Sequence, residues 1–347
     1  MFFRFLYVQT QISHTLKRSL TIMKKWIGIT LFLLFLLLIS YSTITNKTKE
    51  SVKNSTKLSD KTSEEILIGA TFLGSFEFPQ KIKKIMEIEA GRKKINLLTY
   101  VEDKHSSQQV EHIEEMISKN VDVIVLNSPN IDSTEGIELA AKNDIPVVVV
   151  NTIVNSNKMA SYIGSNDIEA GEISMQYIAE KLNKTGNIVI LSGKAGQSSQ
   201  IQREQGILNA LKNYPNINVL ESVSGEWSLE KSHNVMEQLY RKYGSTINAI
   251  VAQNDEMALG ASKFLREHNV RQDVLIIGTD GIKDALVAIK NGELDATVFQ
   301  DADGQAKLTL EVATVLANHG QIARSYFLPY KLVTKENVDY YLKKMID

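Results

Sequence analysis

The sequence predicts an α/β protein of two doubly wound parallel lobes, preceded by an apolar N-terminal segment. Three observations lead to it. Runs such as 121–126 and 147–150 are β-branched and apolar without alternation, the pattern of parallel strands buried on both faces. Helical patterns separate these runs. The strand–helix alternation starts at Ile66 and starts again after Ser165, giving two βα arrays of similar size with a cleft between them.

The chain begins unlike the rest of itself. Arg4, Lys17, Arg18, Lys24 and Lys25 come before any acid, and residues 26–45 carry no charge. About twenty apolar residues are needed to span a bilayer as a helix. A retained transmembrane helix over 26–45 would leave the basic residues 1–25 in the cytoplasm and the lobes outside the cell. A cleaved signal peptide is the competing reading, since Ser40-Tyr-Ser42 offers a small-x-small site. Met23, followed by two lysines and a tryptophan, is an alternative start. There is no cysteine among the 347 residues, which removes disulfides, thiolate metal sites, thiol catalysis and a lipidated cysteine anchor. Residues 46–63 are rich in Lys, Ser, Thr and Asn and read as a flexible tether.

In the first array, strands are expected at 66–72, 95–101, 121–126 and 147–150. Phe78, Ile82, Ile85 and Met86 keep one face of the helix after the first strand, and helices follow at 107–119 and 137–143. In the second array, helices at 170–182, 202–213, 229–241, 257–265 and 282–291 alternate with strands at 187–191, 217–223, 249–252, 274–278 and 296–300. A last helix at 304–318 and a tail at 326–342 complete the chain.

Catalytic patterns are scarce. No phosphate-binding loop, dinucleotide fingerprint or nucleophile elbow occurs. The six histidines are scattered, and His112-Ile-Glu-Glu reads as a solvated helix face rather than a metal site. A net charge of −1 argues against nucleic-acid binding. The expectation is a binding protein with no metal and no cofactor, with a sugar-modifying enzyme as the remote alternative.

Polar or aromatic residues do recur just past the predicted strands. They are Ser75, Glu77 and Phe78, then Asn151-Thr152, the segment 196–199 leading to Arg203, then Trp227, Asn254, Asp280 and Gln300. In an open α/β sheet, ligands bind beyond the carboxyl ends of the strands. A monosaccharide presents hydroxyls at its edge and C–H groups on its faces, so it suits polar groups in a belt with flat aromatics above and below. Each member has a plainer reading. Asn254 and Asp255 can be a helix cap, Trp227 interdomain packing, Arg203 a surface residue and Asp280 a turn residue, while Ser165 and Gln300 fit a hinge equally well.

From about Ile66 onward the chain resembles the periplasmic sugar-binding proteins of the ribose, galactose and xylose type. The resemblance rests on Val251–Ala261, on Ile277-Gly-Thr-Asp-Gly281 and on Tyr162-Ile-Gly-Ser165 followed by Ala170-Gly171. Ala195-Gly196 with Arg203, and the tail Leu332–Val338, support it. It implies two Rossmann-like lobes, 64–165 plus 301–327 and 166–300 plus 328–347, that close on a sugar by hinge motion. The three crossings would lie near Ser165, Gln300 and Phe327. Phe78 and Trp227 would stack on the sugar, and Arg203, Asn254, Asp280 and Gln300, with Ser75 and Asn151, would bond it. Ribose-type members carry Asp-Arg where this chain has Asn151-Thr152, and an aromatic where it has Glu77. These departures point away from ribose toward a xylose-like pentose or a hexose. The implied membrane partner is the ectodomain of a sensor kinase or the permease of an ABC importer, with the anchor favouring the sensor.

Overall fold

The computed structural model describes residues 61–344, except Ser75, 103–105 and 272–273. The predicted membrane segment 26–45 lies outside the described residues. Within them, no helix is long and apolar enough to cross a membrane.

The first sheet is built from β1 (Leu67–Leu73), β2 (Asn96–Glu102), β3 (Val123–Leu126), β4 (Val147–Val150), β5 (Ser161–Gly164) and β11 (Ser325–Phe327). Its order is β11-β5-β4-β3-β1-β2, with every pair parallel. Three helices connect successive strands: α1 (Glu77–Lys93), α2 (Ser106–Ser118) and α3 (Glu135–Lys142).

The second sheet holds β6 (Gly186–Ser192), β7 (Ile217–Ser224), β8 (Ala249–Ala252), β9 (Leu275–Asp280), β10 (Ala296–Phe299) and β12 (Lys331–Thr334). Its order is β12-β10-β9-β8-β6-β7, parallel except for β12 against β10. Its helices are α4 (Asp167–Lys181), α5 (Ser198–Leu211), α6 (Leu229–Tyr243), α7 (Asp255–Glu267) and α8 (Lys283–Asn291). α9 (Ala302–Ala317) and α10 (Val338–Lys344) close the chain.

The apolar runs are explained by layers on both faces of each sheet. In β3, Val123 and Val125 pack with Ile82, Met86 and Leu310, while Ile124 and Leu126 pack with Ile113, Met116 and Ile137. The second sheet repeats this. Ile188 and Ile190 meet Met175 and Ile207 on one face, and Val189 and Leu191 meet Met236 and Phe264 on the other. With no face left for water, alternation has no work to do in the sequence.

The chain passes between the sheets three times. Ser165 joins β5 to α4, Gln300 and Asp301 join β10 to α9, and residues 328–330 join β11 to β12. α9 returns to the first lobe, where it packs against α1, β3 and β4. Phe327 ends β11 at the third crossing and is 59% exposed. The short strand β5 has no counterpart among the expected strands. Its Ser and Gly break the apolar run, and pairing on both sides with β4 and β11 makes it a strand.

Candidate functional site

In both sheets the strand order reverses beside the first strand of the lobe, between β1 and β3 and between β6 and β8. Loops diverge at such points and leave a crevice. Here the two crevices face each other and form one cavity, with about 470 Å³ of space between its walls when adjoining open solvent is included. Glu77, Phe78, Asn151, Arg203, Trp227, Asn254, Asp280 and Gln300 all line it. Asp280 ends β9, and the other seven come from loops and helix starts after six further strands of the two lobes. Ser75, the ninth expected contact, lies outside the described residues.

Arg203 is the centre of the polar wall. It is 4% exposed and sits in the second turn of α5. Its Nε donates to Asp167 Oδ1 at 2.8 Å and one terminal nitrogen donates to the Gln253 carbonyl. The other reaches Asp280 Oδ1 at 3.4 Å, Gln300 Oε1 at 3.3 Å and the Tyr330 hydroxyl at 3.3 Å. Tyr330 also donates to Asp167 Oδ1 at 2.7 Å. Burial by itself would lower the Arg203 pKa, but Tyr330, Asp167 and Asp280 outweigh it and hold the group protonated. Burial pushes the Asp280 carboxyl well above the usual carboxylate range, against the pull of Arg203.

Two glycines allow this arrangement. A Cβ on Gly171 would lie 2.1 Å from the Arg203 carbonyl oxygen, and one on Gly206 would lie 2.0 Å from that of Ile168. Without side chains there, α4 and α5 approach backbone to backbone, which carries Asp167 to Arg203.

Trp227 closes one side of the cavity. Its ring packs where a Cβ on Gly193 would clash at 1.9 Å, and its Nε1 donates to Gln197 Oε1 at 2.6 Å. The Arg203 guanidinium lies 5.8 Å from the ring centre. Asn254 is both a cap and a cavity group. Its Oδ1 accepts from Met257 N at 3.0 Å and starts α7, while its Nδ2 makes only long contacts to Trp227 O and Glu256. Asp255 does not cap. It is fully buried, where it accepts from Ile282 N and from the Thr297 hydroxyl and ties the ends of β9 and β10 to α7. Asn151, Trp227 and Asp280 all have positive φ, at 65°, 62° and 121°. Such backbone is costly for a residue with a side chain, and all three line the cavity.

The lobes also meet at the rim. Ile131 N donates to the Gly196 carbonyl and Ile153 N to the Ser198 hydroxyl, both at 2.9 Å, each from the first lobe to the second. Deep in the cavity Gln300 is 1% exposed, and its Nε2 has no partner among the described residues. A buried donor left unbonded costs about 1–3 kcal/mol, so the site has a place for an acceptor brought by a ligand.

The periplasmic binding protein domain matches residues 75–321, most of the chain. The chain belongs to the periplasmic binding protein family. It is 32% identical over 280 residues to the xylitol-binding protein of Mycolicibacterium smegmatis, covering 80% of each chain. It is 30% identical over 256 residues to the ribose import binding protein of Bacillus subtilis, covering 74% of this chain and 82% of that one. Among solved structures it superposes with TM-score 0.78 on an ABC transporter solute binding protein from Bacillus halodurans with bound myo-inositol. That match has 32% identity and covers 82% of this chain and 99% of the other.

In this binding protein Gln197 and Ser199, within the segment 196–199 singled out above, line the cavity, and so do Phe76 and Glu256, which lie beyond the contacts read from the sequence. Asp167 and Tyr330 fix Arg203. α5 starts at Ser198 rather than near Gln202, which turns Ser199 inward. Phe76 sits between two selected positions, but the run Ser-Phe-Glu-Phe has no period that tells which aromatic faces the cleft. Tyr330 carries no motif at all.

Proposed function

We propose that this protein binds a monosaccharide or a related polyol reversibly between its lobes, without chemical turnover, and presents it to a membrane partner outside the cell. The carrying observation is the set of Arg203, Asp280, Asn151, Asn254 and the unpartnered Gln300 Nε2 in one cavity that Phe76, Phe78 and Trp227 also line. Donors and acceptors together with aromatic rings fit a ring or chain that carries a hydroxyl on every carbon. The departures at Glu77 and Asn151-Thr152 favour a ligand other than ribose, and a xylose-like pentose, a hexose or a cyclic polyol meets this set equally well.

Thermal unfolding against a panel of pentoses, hexoses and polyols tests this. A ligand bound only by the folded protein raises the melting temperature, by about 2.7 kcal/mol of stability at a hundred times Kd. A shift with one compound and none with its epimers is expected. No shift with any member removes the reading. For the compound that binds, Trp227→Ala is expected to weaken binding by about 1–3 kcal/mol through lost ring contact, read by titration calorimetry. Affinity equal to that of the unaltered protein would take Trp227 out of the site.

The partner we infer is the permease of an ABC importer, in keeping with the import and transporter roles that the relatives' names state. A second reading, a membrane-fixed sensor handing its signal to a kinase ectodomain, is favoured by the uncharged stretch 26–45 and by the lack of any cysteine for a lipid anchor. Cross-linking of the full chain in its native membrane separates the two, since capture of a kinase and no permease would overturn the importer.

A further inference from the structure

The cavity carries more negative charge than its own cations match. Its charged lining is Glu77, Glu256, Asp280 and Arg203. Arg203 already meets Asp167 at 2.8 Å. Lys81, one turn along α1 from Glu77, acts on Glu77 electrostatically and is not part of the lining. Arg203 also meets Asp280 at 3.4 Å, and burial pushes that carboxyl up, so Asp280 is not left over. Setting Lys81 against Glu77 still leaves Glu256 over.

Glu77 and Glu256 stand at the starts of α1 and α7, and so come from opposite lobes. Among the described residues Glu77 makes no hydrogen bond or ion pair, and the only polar contact of Glu256 there is Asn254 Nδ2 at 3.5 Å. Burial first, and then the fields of neighbouring acids, push both carboxyls up. Asp284 acts on Glu77, and Glu77 and Asp255 act on Glu256, which is raised to about 7. A cation between them would favour their charged forms.

Lobe closure therefore brings like charges together across the cleft, and a neutral ligand leaves that repulsion in place. A ligand with a positive charge turns it into attraction from both lobes. The buried, unpartnered Gln300 Nε2 independently calls for a ligand acceptor in the same cavity, which a hydroxyl oxygen supplies. We propose that the ligand is a polyol ring bearing one ammonium group, an amino sugar or aminocyclitol, with the ammonium held between Glu77 and Glu256. This deepens the polyol-binding reading above and rests on it. Charge-assisted hydrogen bonds to two carboxylates also give each lobe a share in recognising the same atom.

Calorimetry of the full-length protein with matched pairs tests it: glucose and glucosamine, galactose and galactosamine, myo-inositol and an inosamine. In at least one pair the amino member is expected to bind about tenfold tighter or more than its neutral counterpart. Glu77→Gln and Glu256→Gln should each bring that ratio toward one. Neutral members binding as tightly as amino ones in every pair would overturn the proposal and leave the polyol reading standing. A preference that survives both substitutions would also overturn it, because the charge would then be read elsewhere. Absence of binding in both series would remove the two readings together.

Discussion

Arg203→Ala is expected to abolish measurable ligand binding and to lower the stability of the protein by about 3–5 kcal/mol, the usual cost of removing one partner from a buried ion pair. The substitution leaves the buried carboxylates Asp167 and Asp280 without their cation, and deprives the Gln253 carbonyl, Gln300 Oε1 and the Tyr330 hydroxyl of a donor. Arg203→Lys keeps the charge but has one nitrogen where five N–H groups now diverge. It should recover part of the stability and little of the affinity. Urea unfolding and calorimetry on the same samples read both effects. An Arg203→Ala protein with unchanged unfolding would mean that the guanidinium is not the centre of a buried network.

Gly206→Val is expected to cost about 3 kcal/mol or more, by forcing α4 and α5 apart. The new Cβ would stand 2.0 Å from the Ile168 carbonyl oxygen, and both sides of that contact are helix backbone with no rotamer to turn away. Arg203 precedes Gly206 by less than one turn, so any retreat of α5 lengthens its 2.8 Å bond to Asp167 and lowers ligand affinity as well. Gly91→Ala provides the contrast. A Cβ on Gly91 meets nothing within 4 Å, and replacing an exposed helical glycine should stabilise the protein by up to about 1 kcal/mol. Denaturant midpoints of the two variants check the pair. A mild Gly206→Val would show that the helices have room to part.

Much of the site was legible because chemistry and local pattern coincide in this fold. The strand ends are where apolar runs stop, and the cavity-lining groups lie at or just past those ends. Asn254, Asp280, Asn151 and Gln300 could therefore be picked out from their place after an apolar run. Glu256 stands in the same polar cluster as Asn254 but was hidden by it, since a glutamate in a first helical turn is ordinarily a dipole-favoured surface residue. Asn254 caps α7 through its Oδ1 and still lines the cavity, since its Nδ2 makes only long contacts.

The sequence by itself determined the alternation of strands and helices, the doubling into two arrays, and the polar lips where a ligand would sit. These follow from the identity of neighbouring residues, through burial on both sheet faces and the chemistry of helix starts. Tertiary structure alone decided which lips meet. Arg203 is bonded to residues 36, 50, 77, 97 and 127 positions away, and Glu77 shares a cavity wall with Glu256 from the other lobe. No local period carries such pairings. They depend on how closely α4 and α5 approach through Gly171 and Gly206, and on how the three crossings set one lobe against the other.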